Sequence, residues 1–434
     1  MDKKYLVILL FQMLASAQVV NFSDLNLKNK LLQASTNNSI ALDANNNKIQ
    51  IDINNDREIE INEALLVYTI DISNSDISNL NGLEFFSNIS NLICSNNNIT
   101  NFNFVQFPNI VNFYGNNNLL TSLSIDNNKN IDTIELRNNQ LNSVSVTNCN
   151  NLWGLDCSNN NIISLDIKNL PNLFDFSFSN NSISNFNFTN LTNLTIVNFS
   201  NNLLTNLTFS NCPNIRRVIC HNNLLTTLDF SNLNLLERIG CYDNRLSSIN
   251  LTGCTSLHTL FSSNNNLSSL DCSSCLSLDV IDCQNNQLTY LNVKNGIHET
   301  SYGICGNPNL KYICVDNDPA EINHMALQVG SSYCGYSNVT INPNCSLNVN
   351  SFDLRLNFDI FPNPTQNTLN ISSSSYFNIK SIKIYNTIGK LILVKTNSNK
   401  QELLKIDVSS LSPGVYYTFI DSEKGITTEK FIKN

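Results

Sequence analysis

Charge, histidine and tryptophan are scarce in this 434-residue sequence. Charged residues make up 14% of the chain, against about a quarter in ordinary soluble proteins. Four His and one Trp leave little material for His-based metal sites or for aromatic platforms that stack on bases. The formal net charge of -9 argues against the basic surface that nucleic acids require, so we expect no nucleic-acid partner.

Long apolar runs are also missing beyond the N-terminus. No later segment approaches the ~20 apolar residues that a membrane-spanning helix needs, so we expect no transmembrane segment. The one early run, Leu6–Leu14, follows Lys3 and Lys4 and precedes Ala15-Ser16-Ala17. This order is typical of a secretory signal peptide, so residues 1–17 are expected to be removed and the mature chain exported.

Good helix formers are under-represented as well. Ala is scarce, whereas Asn and Ser are abundant. Asn and Ser are mediocre in helices and favour turns. With a hydrophobic fraction of 41% the chain still has enough apolar residues for a large core. Composition therefore predicts a mostly β protein with little helix.

A 21-residue period dominates the middle of the chain. One column of this repeat contains only Asn in ten successive rows, and apolar columns flank it on both sides. The Asn column consists of Asn97, Asn118, Asn139, Asn160, Asn181, Asn202, Asn223, Asn244, Asn265 and Asn286. Each row reads L-x-x-L-x-[L/C]-x-x-N-x-L, as in residues 152–162. This pattern resembles the leucine-rich repeat, over roughly residues 68–293.

The resemblance implies a solenoid in which short strands stack as a parallel sheet. The convex side of each row is too short for a two-turn helix, so extended pieces or single 3₁₀ turns are expected there. We expect the Asn side chains to point inward as a ladder that satisfies turn backbone groups. On this basis residues 18–67 form an N-terminal cap, 68–296 the repeats and 297–345 a C-terminal cap.

Fourteen Cys precede the last domain. Ten of them lie in apolar columns of the repeat, where we interpret them as small buried hydrophobic residues. The pair Cys272 and Cys275 has C-x-x-C spacing, but both positions are core columns, so a redox or metal site is poorly supported. Four more follow the regular rows: Cys305, Cys314, Cys334 and Cys345. An exported cap can use disulfides, and among the three connectivities we predict a Cys314–Cys334 bridge.

An acidic segment in the N-terminal cap resembles an EF-hand calcium loop. Its candidate ligands are Asp52, Asn54, Asp56, Glu58, Glu60 and Glu63. Two features depart from that motif: Arg57 stands where Gly is expected, and residues 48–51 read as a strand rather than a helix. The alternative is an acidic surface turn before a short helix at 62–67. Calcium in the N-terminal cap is the one cofactor that the sequence suggests, and we expect that no cofactor is required.

The last segment has a different character, with no Cys, more Lys and short alternating runs. After a polar linker at 346–357, residues 358–434 predict a small antiparallel Ig-like β-sandwich. Four motifs occur in order: F-P-N-P at 361–364, I-Y-N-x-x-G-K at 384–390, I-D-V-S-x-L-x-x-G-x-Y at 406–416 and K-F-I-K at 430–433.

These motifs resemble the C-terminal sorting domain of the type IX secretion system of Bacteroidetes. The resemblance implies passage through that machinery, cleavage by its sortase, and a location outside a Gram-negative cell or on its outer-membrane surface. The alternative is a generic Ig-like domain that binds a ligand.

The outward strand positions of the repeats provide a candidate binding surface. We predict a recognition cluster there, although scattered surface residues are an equal alternative. The cluster comprises Arg217, Ile219, His221, Arg238, Tyr242 and Phe261. Glu135 and Asp156 are neighbours on stacked rows, but one carboxylate pair on an open face is weak evidence for a glycosidase.

No catalytic motif occurs in the sequence, so we do not expect an enzyme. The leading hypothesis is a secreted or cell-surface binding or adhesion protein that recognises a protein or glycan. The alternatives are a structural surface component without a dedicated ligand and, less favoured, a glycan-acting enzyme.

Overall fold

The fold was analysed in a computed structural model that describes residues 18–330, 333–345, 358–373, 379–387, 390–396, 403–422 and 425–434. The expected signal peptide at 1–17 and the linker at 346–357 lie outside the described residues. Two compact units divide the chain, Met1–Ser346 and Leu347–Asn434.

The first unit is a leucine-rich-repeat solenoid. Within residues 18–330, thirteen short strands form one sheet along its inner side. These strands are β1 (Ala41–Leu42), β2 (Thr69–Asp71), β3 (Asn91–Ile93), β4 (Asn112–Tyr114), β6 (Thr133–Glu135), β8 (Gly154–Asp156), β10 (Asp175–Ser177), β12 (Ile196–Asn198), β14 (Arg217–Ile219), β16 (Arg238–Gly240), β18 (Thr259–Phe261), β20 (Val280–Asp282) and β22 (Ser301–Gly303). The pairing is parallel from β2 onward, and only β1 is antiparallel to its neighbour. From β3 onward each step advances by one full repeat, as in Ile134 opposite Leu155.

The convex side also contains extended pieces, which pair into shorter parallel sheets. These strands are β5 (Ser122–Asp126), β7 (Ser143–Thr147), β9 (Ser164–Lys168), β11 (Phe188–Thr189), β13 (Phe209–Ser210), β15 (Thr227–Asp229), β17 (Ser248–Asn250), β19 (Ser269–Asp271), β21 (Tyr290–Asn292), β23 (Tyr312–Cys314) and β24 (Thr340–Asn342). Two 3₁₀ turns, Leu83–Phe85 and Phe104–Gln106, occupy this side in the first coils. The expectation of extended pieces and 3₁₀ turns is therefore confirmed.

A second set of Asn residues shapes the turns. In each coil the residue directly before the ladder Asn has a positive φ, as at Asn138 (56°) and Asn159 (57°). Asn tolerates this left-handed conformation better than most residues other than Gly. In the next coil Asn180 has the same conformation, and Gly306 takes the position after the last regular row. The sharp turn that precedes each ladder Asn thus depends on a left-handed residue that recurs in every coil.

The N-terminal cap closes the first coil with two short helices. Helix α1 (Leu25–Leu31) starts at Asp24, whose side chain accepts the N–H groups of Asn26 and Leu27. Helix α2 (Ile61–Ala64) follows the acidic loop. Leu27 and Leu31 are buried and cover the apolar end of the array.

At the other end the array continues one coil beyond the expected boundary at residue 296. Strand β22 pairs with β20, and Asn307 extends the Asn column by one more repeat. Helix α3 (Pro319–Val329) then crosses between the parallel strands β23 and β24. In this coil Glu299 interrupts one apolar column, whereas Tyr302, Ile304 and the strand register continue the repeat.

The disulfide prediction was wrong. The described residues contain the bridges Cys305–Cys334 and Cys314–Cys345, not Cys314–Cys334. The physical reason is the crossover: β24 returns beside β23, which brings Cys345 next to Cys314. Cys334 follows α3 and therefore meets Cys305 instead.

The second unit is a small antiparallel sandwich. One sheet contains β25 (Phe358–Phe361), β26 (Thr368–Ser373) and β29 (Leu403–Asp407), and the other contains β27 (Ile379–Asn386), β28 (Leu391–Thr396), β30 (Gly414–Ser422) and β31 (Gly425–Lys433). Side chains from both sheets, such as Ile371 and Ile384, share one core. The predicted antiparallel β domain is therefore confirmed.

Candidate functional site

The ladder residues are buried, or nearly so, on the inside of the coils. Asn160 is representative, because its Nδ2 donates to the carbonyl oxygens of Leu136 (2.9 Å) and Cys157 (2.9 Å). Its Oδ1 accepts the N–H of Leu141 at 3.0 Å. Each amide thus joins its own turn to the preceding coil. These bonds fix the spacing of the strands whose outward side chains form the solvent face of the sheet.

The six predicted recognition residues lie together, and we call them the sheet-face patch. The set is Arg217, Ile219, His221, Arg238, Tyr242 and Phe261. They project from β14, β16 and β18 and from the turns that follow these strands. Arg217 is in register with Arg238, and the rings of His221 and Tyr242 stack with centroids 4.3 Å apart and planes 7° apart. The parallel register thus gathers side chains that are one or two repeats apart in the sequence.

A glycine forms the floor of this patch. Gly240 is in register with Ile219 on one side and Phe261 on the other. A Cβ built at Gly240 would meet no atom within 4 Å, so a notch lies between the two apolar side chains. Gly240 is not one of the left-handed glycines of the described chain, so its backbone conformation is accessible to other residues. Neither a left-handed backbone nor a close contact requires glycine here, and its effect is the open space that the missing side chain leaves.

The patch combines positive charge with a neutral aromatic stack. Arg217 and Arg238 are exposed, and among the described residues neither forms an ion pair. The neighbouring Arg216 is paired with Glu237. Burial lowers the pKa of His221, which favours its neutral form near pH 7. Two unpaired guanidinium groups beside half-buried rings suit a partner with acidic or acceptor groups.

The Glu135–Asp156 pair is in register on adjacent strands. Arg137 donates from Nε to Asp156 Oδ2 at 2.7 Å, and Asn116 donates to Glu135 at 3.0 Å. The two carboxylates therefore have local partners on an open sheet face.

The acidic loop of the N-terminal cap has part of the geometry expected of a cation loop. Arg57 adopts a left-handed φ of 69°, the conformation for which the motif uses Gly. Asp52 accepts the N–H groups of Asp56 (3.2 Å) and Arg57 (3.0 Å). The side chain of Glu63 accepts the N–H groups of Ile53 (2.7 Å) and Glu60 (3.0 Å).

The remaining candidate ligands of this loop form an ion pair with helix α1 and a hydrogen bond within the loop. Glu58 pairs with Lys28 at 2.6 Å, whereas Asn54 donates to Asp56 at 3.0 Å. A side-chain hydrogen bond with Glu63 raises the pKa of Glu60. Across the described residues, no group of three or more His, Cys, Asp or Glu side chains is arranged to hold a metal ion.

The repeat cysteines are buried free thiols. Burial raises the pKa of Cys275 to about 12 and that of Cys220 to about 12. The pKa of Cys272 is also raised by burial. A thiol held protonated is a poor nucleophile and metal ligand, which agrees with the interpretation as core packing.

A second surface was missed by the sequence analysis. It is a groove of about 750 Å³ along the edge of the sheet, just before the strands begin, and we call it the edge groove. Its lining residues are Val111, Asn130, Asp132, Asn151, Trp153, Asn172, Phe174, Asn193, Thr195, Asn214 and Arg216. Trp153 stacks on Phe174 with ring centroids 4.9 Å apart. The signal was present, because the lone Trp is followed one repeat later by Phe in the first column of the rows.

Buried acids in the C-terminal cap were also missed. Glu299 and Glu321 are both fully buried, and Tyr302 donates to Glu299 at 2.5 Å. Burial raises the pKa of Glu321 to about 7 and also raises that of Glu299. Glu299 stands in the column that is Leu or Ile in the preceding coils, so the change of residue type was visible in the sequence.

Comparison with known families identifies the second unit. Residues 359–434 match the family described as the secretion system C-terminal sorting domain. The sorting tail indicates a secreted or cell-surface protein, and the first unit has a leucine-rich-repeat fold. The sorting domain implies interaction with the type IX secretion machinery. No helix in the described ranges combines the length and apolar character required to cross a bilayer.

Solved structures with a similar fold come from several sources, and no curated protein matches the chain in sequence. The functional domain of InlJ from Listeria monocytogenes, described as including a cysteine ladder, is 19% identical over 94% of this chain and 98% of that one, with a TM-score of 0.49. The internalin InlF from Listeria monocytogenes is 19% identical over 70% of this chain and 93% of that one, with a TM-score of 0.45. The leucine-rich effector YopM from Yersinia pestis is 21% identical over 57% of this chain and 77% of that one, with a TM-score of 0.42.

Proposed function

We propose that this protein is a surface binding or adhesion protein that recognises an external protein or glycan through the sheet-face patch. The observation that carries the proposal is the notch at Gly240, between Ile219 and Phe261. Apolar side chains on both sides of a notch, together with arginine and tyrosine, give the patch a composition typical of binding hot spots. The unpaired Arg217 and Arg238 would pair with acidic or acceptor groups of the partner.

The experiment is a binding screen of the chain lacking residues 1–17 against protein and glycan arrays. A variant with Arg217→Ala and Arg238→Ala tests the patch. The matched control replaces Lys129 and Lys168, exposed cations elsewhere on the array, by Ala. We expect the arginine variant alone to lose the ligand by at least tenfold. Equal binding by wild type and the arginine variant would overturn this assignment of the site.

The alternative of a structural surface component predicts a different outcome. In that case no specific ligand appears on either array, while the protein still reaches the cell surface. We also propose that the protein is not an enzyme, because Asp156 and Glu135 of the carboxylate pair on the sheet are held by Arg137 and Asn116. Hydrolysis of a glycan by wild type, abolished by Glu135→Gln or Asp156→Asn, would contradict that proposal.

Export by the sorting domain is proposed to end in cleavage by the system's sortase. The support is the family match over residues 359–434 together with the expected signal peptide at 1–17. Removal of residues 359–434 should leave the array inside the outer membrane, whereas the full chain reaches the outside. Fractionation followed by mass spectrometry of the mature C-terminus tests both steps.

Calcium binding by the N-terminal cap also remains a proposal. The left-handed Arg57 and the contact between Glu60 and Glu63 support it, because a divalent cation would offset the repulsion between these carboxyls. Calcium should raise the melting temperature of wild type but not of Asp52→Asn. Asp43→Asn, the same change at a partly exposed carboxylate outside the loop, is the control. An identical melting temperature in calcium and in chelator would exclude the proposal.

A further inference from the structure

The edge groove has the length and the side chains of a binding site in its own right. Its lining spans six successive coils, from Val111 to Arg216. At about 4.8 Å for each step between strands, five steps correspond to about 24 Å. The groove is therefore suited to an extended ligand rather than to a single small molecule.

A partly exposed aromatic pair lies in the middle of the groove. The rings of Trp153 and Phe174 are nearly parallel, with planes 9° apart, and Trp153 is 47% exposed. Because the two residues lie on consecutive coils, stacking directs the ring normals along the array. Asp132 precedes the pair and Thr195 follows it in the same column of the rows, and both line the groove.

A row of amides accompanies the aromatic pair on the groove wall. One amide per coil donates from Nδ2 to a backbone carbonyl of the preceding coil, at 2.7–2.9 Å. The donors are Asn130, Asn151, Asn172, Asn193 and Asn214, and the acceptors are Pro108, Lys129, Asn150, Pro171 and Thr192. Each amide has two N–H groups and a carbonyl oxygen. Asn193 also donates to Asn172 Oδ1 at 3.3 Å, and the remaining N–H groups and oxygens leave hydrogen-bonding capacity for a ligand.

The charges at the groove favour an uncharged ligand. Asp132 accepts a hydrogen bond from Thr133 at 2.9 Å, and its carboxylate retains acceptor capacity. Arg216 is already paired with Glu237. An anionic chain would lie against Asp132 without a free cation from the lining, whereas hydroxyl groups can donate to the carboxylate and to the amide oxygens.

We propose that the edge groove binds an uncharged oligosaccharide chain. The apolar C–H faces of sugar rings would pack against the exposed part of Trp153 and Phe174, since aromatic rings provide a large apolar surface. The hydroxyl groups would bond to the repeated amides and to Asp132. This site is separate from the sheet-face patch, and it does not depend on the proposed function of that patch.

Trp153 makes the test direct because it is the only Trp of the chain. The chain lacking residues 1–17 is titrated with cellopentaose, laminaripentaose and mannopentaose, with polygalacturonate as the anionic comparison. Tryptophan fluorescence reports occupation of the groove, and calorimetry gives the affinity. We expect at least one neutral oligosaccharide to shift the emission, and polygalacturonate to leave it unchanged.

The variants separate this groove from the sheet-face patch. Trp153→Ala should weaken the neutral oligosaccharide at least tenfold and Phe174→Ala several-fold, whereas Tyr242→Ala in the patch should leave it unchanged. Circular dichroism melts check that the variants fold, and Trp153→Tyr should keep part of the affinity. The proposal is overturned if none of the neutral oligosaccharides binds, if binding is unchanged in Trp153→Ala, or if only a protein ligand depends on Trp153.

Discussion

The middle of the array and its C-terminal end close their interiors in different ways. In the middle, each coil repeats the same buried Leu or Ile, the same ladder Asn and in several places a buried free thiol. At the end, Glu299 replaces the apolar residue of its column and meets Tyr302. Two disulfides and helix α3 then cover the last coil.

The difference follows from what each region has to pack against. A middle coil meets an identical coil on both sides, so one set of residues satisfies every interface. The last coil meets helix α3 instead, so its partners must come from residues outside the repeat. This contrast between periodic and non-periodic contacts can be tested region by region.

The largest effect is expected at the end of the array. Replacing Cys305 and Cys334 by Ser opens a loop with a sequence separation of 29 residues, which should destabilise the cap by about 3–4 kcal/mol. Denaturant unfolding of the chain lacking residues 1–17 measures the loss. Peptide mapping without reduction should recover Cys305–Cys334 and Cys314–Cys345, and a Cys314–Cys334 peptide would contradict the described connectivity.

A slightly smaller effect is expected in the middle. Asn160→Leu removes the hydrogen-bond partner of the carbonyl groups of Leu136 and Cys157 and of the N–H of Leu141. Because these buried backbone groups stay unpaired, the free energy of unfolding should fall by about 3 kcal/mol. Asn159→Gly is the matched control, since Gly adopts the positive φ of Asn159 without strain. If both variants unfold at the same denaturant concentration, the ladder does not stabilise the array as described.

The pH dependence of stability separates the two regions further. Burial raises the pKa of Glu321 to about 7, so the folded cap binds its proton more tightly than the unfolded chain does. Stability from this group is present below the pKa of about 4.5 expected in the unfolded chain and is lost as the pH rises through about 7.

The comparison of wild type with Glu321→Gln isolates that contribution. The melting temperature of wild type should fall by a few degrees between pH 5 and pH 8 relative to that of Glu321→Gln. Gln keeps an oxygen for the N–H of Asp316, so the control preserves the hydrogen bond at 3.0 Å. Parallel pH profiles of the two proteins would show that the buried carboxyl does not titrate in this range.

The same contrast explains how far the sequence could predict the structure. The ladder position of Asn160 and the register of Ile134 with Leu155 follow from the repeat period alone. The gathering of Arg217 with Arg238 follows equally, because one period separates them. The repeat period alone therefore predicts that the patch residues lie close together. It does not indicate what they bind.

Other features depend on contacts that the period does not encode. The pairing of Cys314 with Cys345 needs the path of α3 between β23 and β24. The notch needs the absence of a side chain at Gly240, which is significant only once its neighbours are known to be Ile219 and Phe261. Recognising the edge groove similarly depends on the orientation of the Trp153 ring, which the repeat pattern of the sequence does not give.

The most direct test of the proposed recognition surface fills the notch without disturbing the sheet. Gly240→Val adds a side chain where the structure has open space, and Ser177→Val is a matched change in the same outward column three coils away. Affinity for the ligand that the arrays identify is then measured by calorimetry. We predict at least a tenfold loss for Gly240→Val and no change for Ser177→Val. Unchanged affinity in a folded Gly240→Val variant would contradict recognition through the sheet-face patch.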